Sequence, residues 1–313
     1  KIAVFMDALD DIDPDTDSSM AMMSEAYARG WQCAYFTQKD LFAQGGEAFA
    51  VVTDLEVDVD CQWIERISRT QPLNDFDIIL IRKDPPFDLD YLYATQILEL
   101  AEYQGVLVTN KPQSLRNHNE KLSVLQYPAV CPPTLVSADM ERLKAFWQQQ
   151  NTVIFKPLDA MGGKSVFHVD EKGRNLGVII ETLTELGTKF IMAQRYIPEV
   201  QHAGDKRIIL INGQPMSHAL ARFPKHGESR ANIAAGGIGK VVPITDQDKA
   251  LCQAIAPSLC HQELYFVGID VIGEYITEIN VTSPTCVRQI TRATGLNIIG
   301  DYLDFLEKKV LGD

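Results

Sequence analysis

The chain has 313 residues, of which 46% are hydrophobic and 23% charged, with a formal net charge of −13. That length can bury two or three subdomains, and the composition is that of an ordinary soluble protein. No run of about 18 apolar residues is present, which excludes a helical membrane span. The acidic balance argues against nucleic acid as a partner, because phosphates are recruited by positive surface. An acidic protein that binds anions must gather its Lys and Arg in one cleft.

In chain order, Ile2–Met6 reads as a strand with no signal-peptide pattern ahead of it. Asp17 or Ser18 can cap a helix from about Ser19 to Arg29, with Gly30 at its stop and Met20, Met22 and Met23 as a core stripe. Strands follow at Gln32–Phe36 and Asp77–Arg82, then a helix at Leu89–Tyr103 ending at Gly105, then a strand at Val106–Thr109. This is a small parallel sheet with helices on both faces, and ligands of such sheets collect at the carboxyl ends of the strands. Arg82 sits at such an end, before Lys83-Asp84-Pro85-Pro86. A substrate carboxylate is preferred there to a surface ion pair. Cys33, Cys61, Cys131, Cys252, Cys260 and Cys286 are irregularly spaced and read as reduced cytoplasmic thiols. The interval from Cys252 and Cys260 to His261 fits no zinc pattern.

No GxGxxG follows the first strand, and Leu158 stands where a Walker loop before Gly163-Lys164-Ser165 needs glycine. What remains is strand–loop–strand: Thr152–Pro157, Leu158–Lys164, Ser165–Val169. Gly162 and Gly163 let backbone N–H groups approach an anion, and Lys156 would aim a charge at the same phosphates. Taken alone, the segment fits a ligand-free hairpin equally well.

The segment Tyr265–Val281 reads as a hairpin. A three-residue loop, Gly273-Glu274-Tyr275, pairs Ile269 with Ile279 and Val267 with Val281. Because side chains alternate with period two, this puts Asp270, Glu278 and Asn280 together on the opposite face. Two carboxylates and an amide oxygen suit Mg²⁺ with ATP better than zinc.

These segments resemble the ATP-grasp carboxylate–amine ligases and, over essentially the whole chain, the prokaryotic glutathione synthetase family. The stretches that carry the resemblance are Arg82–Phe87, Asn110–Arg116 followed by Asn119-Glu-Lys121, Lys156–Gly163, Arg230–Gly237 and Thr277–Thr285. Two departures are Ala160 and Lys164, which could alter the flexibility of the glycine loop or add a phosphate contact.

The resemblance implies an α/β fold, α+β toward the C-terminus, in which an ATP-grasp unit follows the small N-terminal sheet. The units would span 1–120, 121–198 and 199–313. It also implies ligation of γ-glutamylcysteine to glycine with ATP and Mg²⁺ (or Mn²⁺), in a cytoplasmic homotetramer that meets only small molecules. By the same resemblance Lys121 and Lys156, with the Gly162-Gly163 loop, would hold the ATP phosphates. Gln194, Tyr196 and Ile197 would line the adenine and Asp205 would meet the ribose. Asp270, Glu278 and Asn280 would hold the metal, while Arg222 and Arg207 would neutralise the transferring phosphoryl group. Arg82, Ser283, Thr285 and Arg288 would bind the peptide substrate. The segment Phe223–Gly239, with four glycines and with Arg230, Asn232, Gly236 and Gly237, suits a lid that excludes water. Two other readings are a ligase for a different acid and amine, and a nucleotide-binding regulatory module without catalysis.

Overall fold

The computed structural model describes residues 1–13, 15–57, 63–225, 231–233 and 236–312. In chain order β1 (Ile2–Phe5), α1 (Ser18–Ala28), β2 (Cys33–Phe36), β3 (Leu41–Gln44), β4 (Glu47–Val57), β5 (Trp63–Pro72), β6 (Ile78–Ile81), α2 (Leu89–Tyr103) and β7 (Leu107–Thr109) build a seven-stranded sheet. Its centre is parallel: β1 lies between β2 and β6, and β6 pairs with β7. The apolar runs IAVF and IILI are buried on both faces, as central parallel strands must be.

Capping follows side-chain chemistry. Asp17 accepts from the Met20 amide and Asp88 from the Tyr91 amide, each satisfying one of the orphan donors of a helix start. Beyond the parallel strands the sheet carries an antiparallel edge, β3, β4 and β5, that the sequence reading did not anticipate. Gln44 pairs with Glu47, so Gly45 and Gly46 form a two-residue turn, and both have positive φ (63° and 86°). That is the backbone a tight hairpin demands.

After α3 (Pro112–Arg116) the chain enters a four-stranded antiparallel sheet. It consists of β8 (Thr134–Ser137), β9 (Val153–Pro157), β10 (Phe167–Val169) and β11 (Ile191–Arg195), with α4 (Met140–Gln150) and α5 (Leu176–Leu183). Leu143, Val153, Phe155, Ile180 and Ile191 give it a core of its own.

The short α6 (Val200–Ala203) leads to the third sheet, β12 (Asp205–Ile211), β13 (Gln214–Pro215), β14 (His218–Phe223) and β15 (Ile238–Pro243). The sheet is completed after α7 (Asp246–His261) by β16 (Phe266–Ile272) and β17 (Tyr275–Asn280), in the order β15-β14-β12-β16-β17 with β13 beside β12. Helices α8 (Val287–Thr294) and α9 (Ile298–Leu311) close the chain, and α9 returns to α1, where Arg29 pairs with Asp304 at 2.7 Å.

The first and third sheets share two apolar clusters. Asn110, at the exit of β7, joins them: its amide donates to the carbonyls of Phe266 and Val281 and accepts from the amides of Tyr265 and Phe266. Every hydrogen-bonding position of that buried amide is used. The second sheet, with its separate core, therefore stands over a rigid base made by the other two.

Candidate active site

The hairpin of β16 and β17 has Ile269 opposite Ile279 and Asp270 opposite Glu278, as expected from alternation. The device that sets this register differs from the expected three-residue loop. Ile272 pairs with Tyr275 across a two-residue turn, and Thr277 is the extra residue of a bulge, because Asp270 faces Glu278 while Val271 faces Ile276. The bulge shifts the strand by one residue and so turns Glu278 and Asn280 onto the polar face.

Cross-strand pairing extends this face across the third sheet. Arg207 on β12 lies opposite Asp270, and Arg222 on β14 lies opposite Asp205. Arg207 donates to Asp270 Oδ1 at 2.5 Å and to Oδ2 at 3.1 Å. Arg222 Nη2 stands 2.6 Å from Asp205 Oδ2 and 3.0 Å from Asp270 Oδ2. All three of Arg207, Arg222 and Asp270 are buried. Burial alone would raise the Asp270 carboxyl, but the two guanidinium groups hold it well below the usual carboxylate range. Asp205 shares Arg222 with that carboxylate and takes the other outcome: burial and the neighbouring carboxylates push it up to about 7. Its Oδ1 is buried without a hydrogen-bond partner among the described residues.

From the second sheet, Lys156 on β9 reaches across to Glu278, Nζ to Oε1 3.1 Å. Burial works against the Glu278 charge, and Lys156 and Lys121 hold its carboxyl below its ordinary value. Lys121, equally buried, donates to the Ala160 carbonyl at 2.6 Å and to Glu120, and so pins the start of the glycine loop. Gly162 and Gly163 have φ of 64° and 80°, the left-handed region glycine tolerates. A Cβ at Gly163 would lie 2.6 Å from Asn232 Oδ1.

Two connected clefts result. One, of ≈ 660 Å³, is lined by Gln194–Ile197 with Ile154, Val166, Asp205 and Ile272. Gln194 is held there by its bond to Thr134, and the Tyr196 ring lies against His168, tilted by 31° with centroids 4.2 Å apart. The other, of ≈ 1030 Å³, is lined by Lys121, the loop 160–163, Arg207, Arg222, Asn280 and the turn 282–286. Asn232 and Glu278 line both.

The structure thus brings together Lys121, Lys156, Gly162, Gly163, Asp205, Arg207, Arg222, Asn232, Asp270, Glu278, Asn280, Ser283 and Thr285. Arg82 stands just behind the turn, its Nε on Ser19 and its Nη2 on the Pro284 carbonyl at 2.9 Å; it is buried and forms no surface ion pair. Arg288 is elsewhere, donating to the Asp17 carbonyl from α8 in a groove against α1. Gly236 and Gly237 fold back on 231–233, Gly237 donating to the Asn232 carbonyl at 3.0 Å. Of the expected lid, Arg230 with the rest of 226–230, and positions 234 and 235, lie outside the described residues. The sequence reading missed Glu120, which burial and Glu278 push above the ordinary carboxylate value, and Asp84, on the opposite rim. Their only signal was acidic charge beside a motif cation.

Two family models cover nearly the whole chain: the prokaryotic glutathione synthetase N-terminal domain over residues 1–116, and the ATP-grasp domain of the same family over residues 120–303. The chain belongs to the prokaryotic glutathione synthetase family. The glutathione synthetase of Pseudomonas syringae pv. tomato is 49% identical over 99% of this chain and 98% of that relative. The one from Vibrio parahaemolyticus is 47% identical over 100% and 99%. Solved structures share the fold: D-cycloserine synthetase DcsG matches with a TM-score of 0.68 at 14% identity, over 98% of this chain and 100% of that one. The ATP-grasp ligase PsnB, complexed with minimal precursor, Mg and ADP, matches at 0.62 and 17% identity, over 98% of both chains. As a member of this family the chain is an ATP-dependent ligase that uses a divalent metal ion.

The polar face fits such an ion. The described residues hold no group of three His, Cys, Asp or Glu that could take a metal by itself. What they offer is two carboxylates and the Asn280 amide oxygen; the amide nitrogen, buried without a partner among the described residues, is a donor left for an anion beside the cation. A hard cation that completes its shell with phosphate oxygens and water needs no more.

Proposed function

We propose that the chain joins γ-L-glutamyl-L-cysteine to glycine, with ATP and Mg²⁺, giving glutathione, ADP and phosphate. The observation that carries this reading is the meeting of Lys121, Lys156, Arg207, Arg222, Glu278 and Asn280 at the junction of the two clefts. A mere nucleotide binder has no use for paired arginines at the far side of the phosphates.

In this reading the adenine lies between Ile154, Val166 and Ile272 against the Gln194–Ile197 strand end. The unpartnered Asp205 Oδ1 accepts from a ribose hydroxyl. Lys121, Lys156 and the amides of the Gly162-Gly163 loop hold the phosphates, and Asp270, Glu278 and Asn280 hold the cation, which supplies charge neutralisation. Phosphoryl transfer asks chiefly for positioning and electrostatics. The cysteinyl carboxylate takes the γ-phosphoryl group to form an acyl phosphate and ADP; the glycine amine then attacks the carbonyl carbon and expels phosphate. The N–H groups of Arg207 and Arg222 that face the cleft neutralise the oxygens on which charge grows. Asp270 and Asp205 hold these cations in place beforehand, so little reorganisation is needed at the moment of reaction.

The division into units at 1–120, 121–198 and 199–313, a homotetrameric state and a cytoplasmic location belong to the same proposal. Among the described residues no helix is long and apolar enough to cross a membrane. Glycine-dependent ADP release in the presence of γ-glutamylcysteine tests the reaction. Release with other acid–amine pairs and none with this one replaces it by a ligase of different substrates. Sedimentation velocity tests the tetramer.

A further inference from the structure

Among the described residues three carboxylates line the ≈ 1030 Å³ cleft: Asp84, Glu120 and Glu278. Glu120 is paired with Lys121, and Glu278 with Lys156 at 3.1 Å. Among the described residues Asp84 alone of the three has no cation in ion-pair contact, its side chain being held by the neutral Ser283 hydroxyl. Arg82 attracts it without touching it, because that guanidinium is spent on Ser19 and the Pro284 carbonyl. The Asp84 carboxylate is nevertheless fixed in place. Its backbone amide donates to Asp7 Oδ2 at 2.8 Å, and the residue follows β6 at the strand end where a ligand of the first sheet belongs. It stands with Ser283, Pro284 and Thr285 at the rim away from the nucleotide cleft, which shares none of these residues.

Resting on the proposed ligation, we infer that Asp84 is the ammonium anchor of the donor substrate. γ-Glutamylcysteine carries one α-ammonium at the end remote from its reacting carboxylate. With the reacting carboxylate beside Arg207 and Arg222, the glutamyl end extends along the turn 282–286 toward Asp84. Of the cleft's carboxylates, this is the one whose cation has still to come. Desolvation at the cleft wall and the carboxylates of Asp7 and Asp17 raise its proton affinity, while the side chain stays open to solvent and so to an arriving ammonium.

The test pairs Asp84→Asn, which keeps the shape and the Ser283 contact, with N-glutarylcysteine, the donor without its amino group. In the wild type, N-glutarylcysteine should show a kcat/KM up to about fivefold below that of γ-glutamylcysteine, as for an ion pair at a solvent-facing rim. Asp84→Asn should raise KM for γ-glutamylcysteine by up to about fivefold, leave KM for ATP where it was and treat the two donors alike. An unchanged donor KM, or discrimination kept in the variant, overturns the anchor while leaving the ligation standing. Wild-type protein that releases no ADP with γ-glutamylcysteine and glycine overturns the ligation and the anchor with it.

Discussion

Asp270 and Glu278 are direct cross-strand partners on β16 and β17, yet each is neutralised from a different sheet. Asp270 is gripped by Arg207 and Arg222 from within its own sheet, whereas Glu278 is met by Lys156 from the facing sheet. One carboxylate therefore belongs to the base formed by the first and third sheets, and the other closes the ≈ 660 Å³ cleft across a boundary between separate cores. Their removal should have different consequences.

Glu278→Gln keeps the shape of the side chain and loses the charge that pairs with Lys156 and that the proposed metal site offers to a cation. Turnover at saturating Mg²⁺ should fall about 10²-fold, the cost of losing one electrostatic stabiliser. The cation concentration for half-maximal ADP release should rise with it. A magnesium titration indistinguishable from that of the wild type would remove Glu278 from the metal site.

Arg222 serves Asp205 and Asp270 at once, both nearly out of solvent. Arg222→Met fills much of the same volume but leaves Asp205 without its cation and Asp270 with Arg207 alone. Breaking a buried pair from one side costs about 3–5 kcal/mol, more than the pair itself contributes, because a charge is stranded. Urea unfolding should show a loss of that order; a midpoint equal to the wild type would mean that water reaches the pair.

His118 gives the chain an acid sensitivity unrelated to its chemistry. Its ring is buried, neither ring nitrogen finds a hydrogen-bond partner among the described residues, and burial pushes its pKa down to about 4. In the unfolded chain the imidazole takes a proton near pH 6.5, so between about pH 6.5 and 4 the unfolded state binds more protons than the folded one. Unfolding free energy should therefore fall as pH drops through that window, by about 3 kcal/mol in all, and level off for this group below it. His118→Leu should be spared that share of the loss. Parallel curves for the two proteins from pH 7 to 4 would show that the imidazole is solvated.

What could be read before folding was whatever depends on neighbours in sequence. Asp17 as a cap and the buried methionines of α1 follow from local hydrogen bonds and periodicity. The apolar alternation points to the shared face of Asp270, Glu278 and Asn280, although a two-residue turn with a bulge at Thr277 produces it rather than the expected three-residue loop. The Gly45-Gly46 hairpin was equally local, and went unread although two glycines between apolar runs are a turn signal. The grip of Arg207 and Arg222 on Asp270 was out of reach, because it needs three strands brought side by side from positions 207, 222 and 270. Arg288 misled for a related reason. It follows the Ser283–Thr285 turn closely in sequence, but α8 begins at Val287 and carries the side chain toward α1.

Gly237 is the position where the backbone leaves least room. A Cβ there would stand 2.1 Å from the Ala231 carbonyl oxygen, a backbone atom that cannot swing aside, while the Gly237 amide is bonded to the Asn232 carbonyl. Gly237→Ala must therefore push 231–233 away, and Asn232 is the side chain packed against Gly163 and lining both clefts. In the proposed reading the adenine and ribose contacts come from other elements, the end of β11 and the start of β12. Displacing a positioning group by about an ångström can cost up to 10²-fold in rate. The expected result is a kcat lowered by at least about tenfold with a much smaller change in KM for ATP. Equal losses in both would show that residues 231–233 serve nucleotide binding rather than the placement of the reacting groups.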